Sequence, residues 1–152
     1  MHVTLSVILD APAARVWREV QTSRLLEYVA SPFQTFEPVQ PYMLPQIWRT
    51  GTYLVRLRLG GLLPLGLQWI VISFPSSAVG FELRDQGRGH LARTWDHRIT
   101  VQALPGGRTR YTDAVEVRAG LLTPLVWGFA QLFYRHRQRR WQRLVRSGFG
   151  YT

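Results

Sequence analysis

The sequence predicts an α+β fold in which a curved antiparallel sheet of about six or seven strands wraps around a long C-terminal helix. Three observations lead to this prediction. Most segments up to residue 118 alternate apolar and polar side chains between glycine or proline turns, as strands do. Two short segments with helical spacing follow the first strand, and the last segment, residues 121–146, carries apolar residues at helical spacing.

The composition is that of a folded domain that needs no disulfide bond for its stability. With 152 residues, 46% of them hydrophobic, the chain can bury a sizeable core. It contains no cysteine, which excludes a disulfide scaffold, a thiolate zinc site and a cysteine nucleophile. Its four histidines are scattered without the spacing of metal ligands, so we expect neither a metal nor a cofactor.

The charge of the chain is strongly positive. All 19 basic residues are arginine, against 9 acidic residues, and the formal net charge is +10. A GC-rich coding bias accounts for arginine in place of lysine, whereas the excess of bases favours anionic partners. No signal peptide is visible, and the most apolar stretch, residues 59–74, is interrupted by glycines and a proline. We therefore expect a cytoplasmic protein.

The first thirty residues predict one strand and two short helices. Apolar residues alternate between Val3 and Leu9, which indicates a strand. Asp10 is placed to cap the helix that follows, with Pro12 in its first turn. Ser23–Ala30 has the spacing of a second helix.

The middle of the chain predicts strands joined by turns. The predicted strands cover residues 33–39, 52–59, 67–74, 79–83, 91–104 and 109–118. The turn at residues 60–66 is unusually apolar, and we expect it at the mouth of a cavity. Both faces of the strand at 67–74 are apolar, so the sequence does not indicate which of them points inward. Pro105-Gly106-Gly107 is typical of a tight hairpin turn.

This hairpin permits a prediction of strand register. A three-residue loop pairs Leu104 with Arg108, and each further pair follows from that one. His97, Asp113 and the Tyr111 hydroxyl then share one face with apolar residues, which makes that face the concave one. His97 and Asp113 become diagonal neighbours on adjacent strands.

Three groups of residues resemble those of the START/pollen-allergen/polyketide-cyclase superfamily, also called SRPBCC proteins. They are the opening strand running into residues 10–17, the segment Trp95-Asp96-His97-Arg98 leading to residues 110–116, and Phe133-Tyr134-Arg135-His136-Arg137. The resemblance covers nearly the whole chain and implies a single domain over residues 1–152 with the helix-grip fold. It also implies a cavity for a lipid-like or polycyclic ligand. The superfamily includes carriers, cyclases and co-chaperones, so the fold leaves the function open.

The candidate site combines polar and aromatic residues. His97, Asp113 and Tyr111 are the candidate catalytic residues, because a carboxylate beside an imidazole can orient it as a general base. A structural ion pair or hydrogen bond is the alternative. Residues expected to hold the ligand are Tyr53, Trp69, Phe81, Arg93, Trp95, His97, Tyr111, Asp113, Phe129 and Phe133. Tight packing without a cavity is the alternative for the aromatic ones.

The last helix ends in a cluster of arginines. Its candidate anion-binding residues are Arg135, Arg137, Arg139, Arg140 and Arg143. An anionic membrane surface fits this cluster better than nucleic acid does, because we expect Trp141 to pack under the sheet rather than stack on a base. A solvated helix end is the alternative.

Three functions follow, in order of preference. The first is binding of a small hydrophobic ligand in a cavity between the sheet and the C-terminal helix. The second is a cofactor-independent cyclase or aromatase, in which His97 removes a proton and Tyr111 or Arg93 stabilises the resulting oxyanion. The third is attachment to an anionic membrane surface through the arginines of the last helix. The sequence does not decide whether the protein is an enzyme.

Overall fold

The strands form one antiparallel sheet that faces a long helix. The computed structural model describes residues 1–152. Its elements are β1 (His2–Leu9), α1 (Ala13–Val20), α2 (Ser23–Ala30), β2 (Gln34–Gln40), β3 (Gly51–Leu59), β4 (Leu63–Ser73), β5 (Phe81–Gly89), β6 (Thr94–Leu104), β7 (Arg108–Arg118), a short 3₁₀ turn (Gly120–Leu122) and α3 (Thr123–Arg146). The strand order is β1-β7-β6-β5-β4-β3-β2. This confirms the predicted fold class and places seven strands in the sheet.

The hairpin of β6 and β7 has the predicted register. Leu104 pairs with Arg108, Ile99 with Asp113 and His97 with Val115. The residues of the concave face are buried along this hairpin, whereas residues such as Arg98 lie on the outer, solvated face. Turn chemistry therefore decided which side chains point inward.

The concave face is covered by α3, whose buried residues recur every three or four positions. They are Val126, Ala130, Phe133, Tyr134, Arg137, Gln138, Trp141 and Leu144. Trp141 is fully buried, with its ring 5.1 Å from that of Tyr111, so its predicted place under the sheet is confirmed. Burying a side chain of this size contributes on the order of 2–3 kcal/mol.

Two segments near the predicted turns differ from expectation. The helix α1 begins at Ala13 with Pro12 at its N-cap position, so Asp10 does not cap it. The strand β5 extends to Gly89, although residues 84–89 contain no apolar side chain. Pairing with β4 and β6 holds this polar segment extended, which no alternation in its sequence could indicate.

The face of β4 that points inward is also decided by the structure. Gln68, Ile70 and Ile72 are buried, whereas Trp69 between them is half-buried. Strand alternation therefore places Trp69 on the outer face.

None of the helices combines the length and the apolar character needed to cross a membrane.

Candidate functional site

A cavity lies between the concave face of the sheet and α3. Its volume is about 70 Å³, and 11 of its 16 lining residues are hydrophobic. The walls come from α2, from strands β2 to β6 and from α3, with Leu91 and Ala92 in the loop before β6. Its polar residues are Gln34, Gln68, Asp85, His97 and Arg137. An apolar cavity with a few converging polar groups is the usual form of a small-molecule site.

A second, smaller cavity of about 40 Å³ adjoins the first, on the side of α1 and α2. The two cavities share five wall residues, namely Leu26, Ile70, Asp85, His97 and Arg137. The three ionisable side chains among them therefore stand between the two spaces.

His97 and Asp113 form the centre of a buried hydrogen-bond network. His97 Nε2 lies 2.8 Å from Asp113 Oδ1, and the Tyr111 hydroxyl donates to the same oxygen at 2.9 Å. Gln138 Nε2 donates to Asp113 Oδ2 at 3.4 Å. Asp113 is fully buried, so each of these donors replaces water that the carboxylate has lost.

The protonation of this pair follows from its surroundings. Burial raises the pKa of Asp113, but the Arg137 charge and the hydrogen bonds from His97 and Tyr111 outweigh burial and lower it overall. Burial and the Arg137 charge together lower the pKa of His97 by more than Asp113 raises it. The pair is therefore a carboxylate beside a neutral imidazole. Because a carboxylate only accepts, Nε2 carries the ring proton and Nδ1 keeps a free lone pair.

Arg137 brings a charge from α3 to the same place. Its guanidinium donates to the Tyr111 hydroxyl at 3.3 Å and lies 3.7 Å from Asp113 Oδ1. Only 3% of the residue is exposed, and its Nε has no hydrogen-bond partner in the protein. Burial lowers the pKa of Arg137, but Tyr111, Asp113 and Tyr134 together raise it by more, so the guanidinium stays charged.

Asp85 is a site residue that the sequence analysis missed. It pairs with His97 across β5 and β6, and its Oδ1 accepts the Val71 N–H at 2.8 Å. Burial raises the pKa of Asp85 to about 7. A prediction of β5 as far as Asp85 would have placed it beside His97, but the polar sequence of this segment concealed the strand.

Four of the residues predicted to hold a ligand line the larger cavity. They are Trp95, His97, Phe129 and Phe133. Trp95 also donates through Nε1 to the Tyr134 hydroxyl at 3.1 Å. Tyr111 and Asp113 are fully buried behind His97 and Arg137 and do not line either cavity.

The other four predicted ligand contacts lie elsewhere, which corrects their expected placement. Tyr53 fills the core against Trp48, and Trp69 is on the outer face of β4. Phe81 is 43% exposed and stacks on Trp17. Arg93 is exposed in the loop before β6, because that strand begins only at Thr94 and alternation no longer applies.

The arginine cluster on α3 is divided by the turn of the helix. Arg135, Arg139 and Arg143 are exposed at intervals of four residues and form one solvated row. Arg137 faces the sheet, so its prediction as a surface residue is wrong. Arg140 donates to the Tyr28 carbonyl at 3.1 Å and lies over its ring, which removes it from the row as well.

The apolar turn between β3 and β4 contributes one residue to the cavity. Leu65 is part of the wall, whereas Leu62 and Leu63 are exposed at the tip of the hairpin. The expected position of this turn beside the cavity is therefore confirmed for Leu65.

Solved structures of the same fold are known. A START superfamily protein from Mycobacterium smegmatis has 15% identity and a TM-score of 0.67, with 96% of this chain and 97% of that chain covered. The Zhui aromatase/cyclase from Streptomyces sp. R1128 has 14% identity and a TM-score of 0.62, with 96% and 93% covered. TTHA0849 from Thermus thermophilus has 14% identity and a TM-score of 0.68, with 99% and 100% covered. The predicted resemblance to the START and polyketide-cyclase superfamily is confirmed at the level of the fold.

Sequence comparison identifies a family for the chain. A family model described as "Domain of unknown function (DUF8410)" matches residues 7–145. No curated protein sequence matches the chain significantly.

Proposed function

The chain belongs to the DUF8410 family, and from its cavity we propose that the protein binds a small apolar molecule between the sheet and α3. The observation that carries this proposal is the composition of the cavity wall. Eleven of its 16 residues are hydrophobic, and three of its polar residues, Asp85, His97 and Arg137, also line the second cavity. Aliphatic and aromatic walls favour an apolar ligand, while the few polar groups orient it.

The size of the cavity limits the ligand. A cavity of about 70 Å³ is smaller than the roughly 150 Å³ that holds a benzene molecule. It holds one small group, and the remainder of a ligand must lie at the wall formed by Leu65, Leu91 and Phe129, which are only half-buried. A short-chain compound fits these dimensions, as does a monocyclic compound that places one small group in the cavity and its ring at the half-buried wall, whereas a lipid or polycyclic ligand requires side chains of the wall to move.

The test compares a variant that fills the cavity with a matched surface variant. Ala92 is 2% exposed and lines the cavity, so Ala92→Leu places three more carbon atoms in it. Ala103 is exposed on β6, and Ala103→Leu adds the same atoms to the surface. We expect toluene to shift the indole N–H resonance of Trp95 saturably in the wild type and in Ala103→Leu. Ala92→Leu should weaken this binding at least tenfold.

Two results would contradict the proposal. One is the absence of any saturable shift in the wild-type protein. The other is unchanged toluene affinity in a folded Ala92→Leu variant. Native mass spectrometry of the purified protein adds an independent check, because a bound molecule released on denaturation gives the mass of the ligand.

A second function, proton abstraction from an acidic carbon, is favoured by one observation. Asp113 holds His97 by its Nε2 proton, which leaves the Nδ1 lone pair of a neutral imidazole free on a residue that lines both cavities. A general base needs this arrangement, with a fixed ring and an accessible lone pair. Arg137, beside it, is a cation that can stabilise the enolate formed.

The chemistry can be tested without a known substrate. In D₂O the protein should accelerate deuterium exchange at the acidic carbon of a small aryl β-diketone, followed by NMR. His97→Gln should lower this acceleration about 100-fold or more, in keeping with the usual contribution of a general base. Exchange at the protein-free rate with the wild type would exclude this function for that compound class and leave ligand binding unaffected.

A further inference from the structure

We propose that Arg137 is the carboxylate-binding group of the cavity and that the ligand is a small aromatic carboxylic acid. This inference rests on the proposed ligand binding and specifies the class of ligand. It follows from three features of the structure: the unpaired donors of Arg137, the occupied oxygens of Asp113 and the aromatic path along α3.

The guanidinium of Arg137 is buried with most of its donors unpaired. A guanidinium carries five N–H donors. Arg137 makes one hydrogen bond, at 3.3 Å to the Tyr111 hydroxyl, and its Nε has no protein partner. The residue is 3% exposed and forms part of the wall of both cavities. Because unpaired buried donors are costly, a ligand that accepts from them gains more than it would from an exposed arginine.

Asp113 balances the charge of Arg137 but does not satisfy its donors. Its Oδ1 already accepts from Tyr111 and from His97, and its Oδ2 accepts from Gln138. The separation of 3.7 Å between Arg137 and Oδ1 is too long for a hydrogen bond. The guanidinium therefore keeps donors for a second planar acceptor, and a carboxylate is the group that matches two parallel N–H bonds.

An aromatic path along α3 leads to this guanidinium. Phe129, Phe133 and Arg137 are spaced by four residues and share one helix face. The rings of Phe129 and Phe133 stack with centroids 5.6 Å apart, and the Arg137 guanidinium lies 5.9 Å from the Phe133 ring. One turn of helix, about 5.4 Å, is comparable to the span from ring to carboxylate in a phenylacetate-sized acid.

Along this path the apolar residues lie nearer to solvent and the charged residue lies deepest. Phe129 is half-buried, whereas Phe133 and Arg137 are buried, so the apolar end of the path lies nearer to solvent. Trp95 adds a further aromatic surface to the same cavity. A ligand that enters with its carboxylate first would place its ring at the half-buried wall, against Phe129 and Trp95.

The other ionisable groups that line this cavity are compatible with a bound carboxylate. His97 is neutral, and burial raises the pKa of Asp85 to about 7, so below that pH Asp85 is a neutral donor. No other acidic residue lines either cavity. The test is therefore made at pH 6.

The first test uses the wild-type protein and four probes in calorimetric titrations. Phenylacetate should bind at least tenfold more tightly than phenylacetamide, its uncharged analogue, and acetate should bind more weakly than both. Equal affinities for phenylacetate and phenylacetamide would overturn the carboxylate assignment. Toluene separates the two proposals: if toluene binds without any preference for phenylacetate, ligand binding stands and this inference fails.

The second test changes the guanidinium. Arg137→Met should abolish the preference for phenylacetate over phenylacetamide while toluene still binds. Arg139→Met, an exposed position on the same helix, should leave the preference unchanged. A preference retained in folded Arg137→Met would contradict the assignment. If Arg137→Met does not fold, the probe series on the wild-type protein still decides the matter.

Discussion

The buried network around Asp113 predicts a large and pH-dependent loss of stability when its charge is removed. Asp113 is fully buried, accepts three hydrogen bonds and faces the Arg137 guanidinium at 3.7 Å. In Asp113→Asn the Arg137 charge loses its only close carboxylate, and one acceptor becomes a donor. Breaking a buried ion pair in this way costs about 3–5 kcal/mol at pH 7.

Urea unfolding followed by tryptophan fluorescence measures this effect. With a slope of about 2 kcal/mol per molar urea, the midpoint should fall by roughly 1.5–2.5 M. The folded pKa of Asp113 lies below its ordinary value, so its contribution is present above about pH 4 and is lost as the pH falls through the folded pKa. The difference between wild type and variant should therefore shrink between pH 5 and pH 3.

Asp96→Asn is the matched control for this prediction. Asp96 lies on the next strand, on the outer face, where it accepts two bonds from Arg84 at 2.7 and 3.0 Å. Both side chains of that pair keep contact with solvent, so we expect a loss of about 1 kcal/mol or less. If Asp113→Asn and Asp96→Asn have the same free energy of unfolding at pH 7, the buried network does not stabilise the core.

Three further predictions address single features of the fold. Because burial raises the pKa of Asp85 to about 7, the folded state retains a proton that the unfolded chain releases near pH 4, and stability is lost as the pH rises through 7. Asp85→Asn should therefore match the stability of the wild type at pH 4 and exceed it at pH 8 by about 4 kcal/mol, as thermal melts at both pH values would reveal. Thr109→Val should lower the free energy of unfolding in urea by about 1–3 kcal/mol, because the Ala11 carbonyl loses the Thr109 hydroxyl that donates to it at 2.7 Å. An unchanged urea midpoint would argue against that hydrogen bond. In urea unfolding, Arg140→Gln should lower the free energy of unfolding by about 1 kcal/mol and Arg139→Gln by less than about 0.5 kcal/mol. Equal losses in the two variants would mean that Arg140 is as solvated as the exposed row.

The sequence predicted the fold because its local signals agree with one another. Alternation, the turn at Pro105-Gly106-Gly107 and the helical spacing after residue 120 each point to the same architecture. The turn also determined the register of β6 and β7, and with it the inward direction of His97 and Asp113. A hairpin register depends on adjacent residues only, so it can be read from a short segment.

Two residues of the site, Asp85 and Arg137, were beyond the reach of such local reasoning. The segment around Asp85 is polar and becomes a strand only because β4 and β6 pair with it on both sides. Arg137 stands in a run of arginines, and only the rotation of α3 against the sheet turns this one inward. Neighbours in the chain carry no information on such long-range contacts.

The sequence by itself determined the class of fold, the pairing of β6 with β7 and the concave position of the His97–Asp113 pair. The tertiary structure decided how small the cavity is, which aromatic residues line it and which arginine enters it. The physical reason is the range of the forces involved. Turn geometry and side-chain periodicity act within a few residues. A cavity, in contrast, is the space that remains after distant elements have packed, and the same packing determines which charged side chains line it.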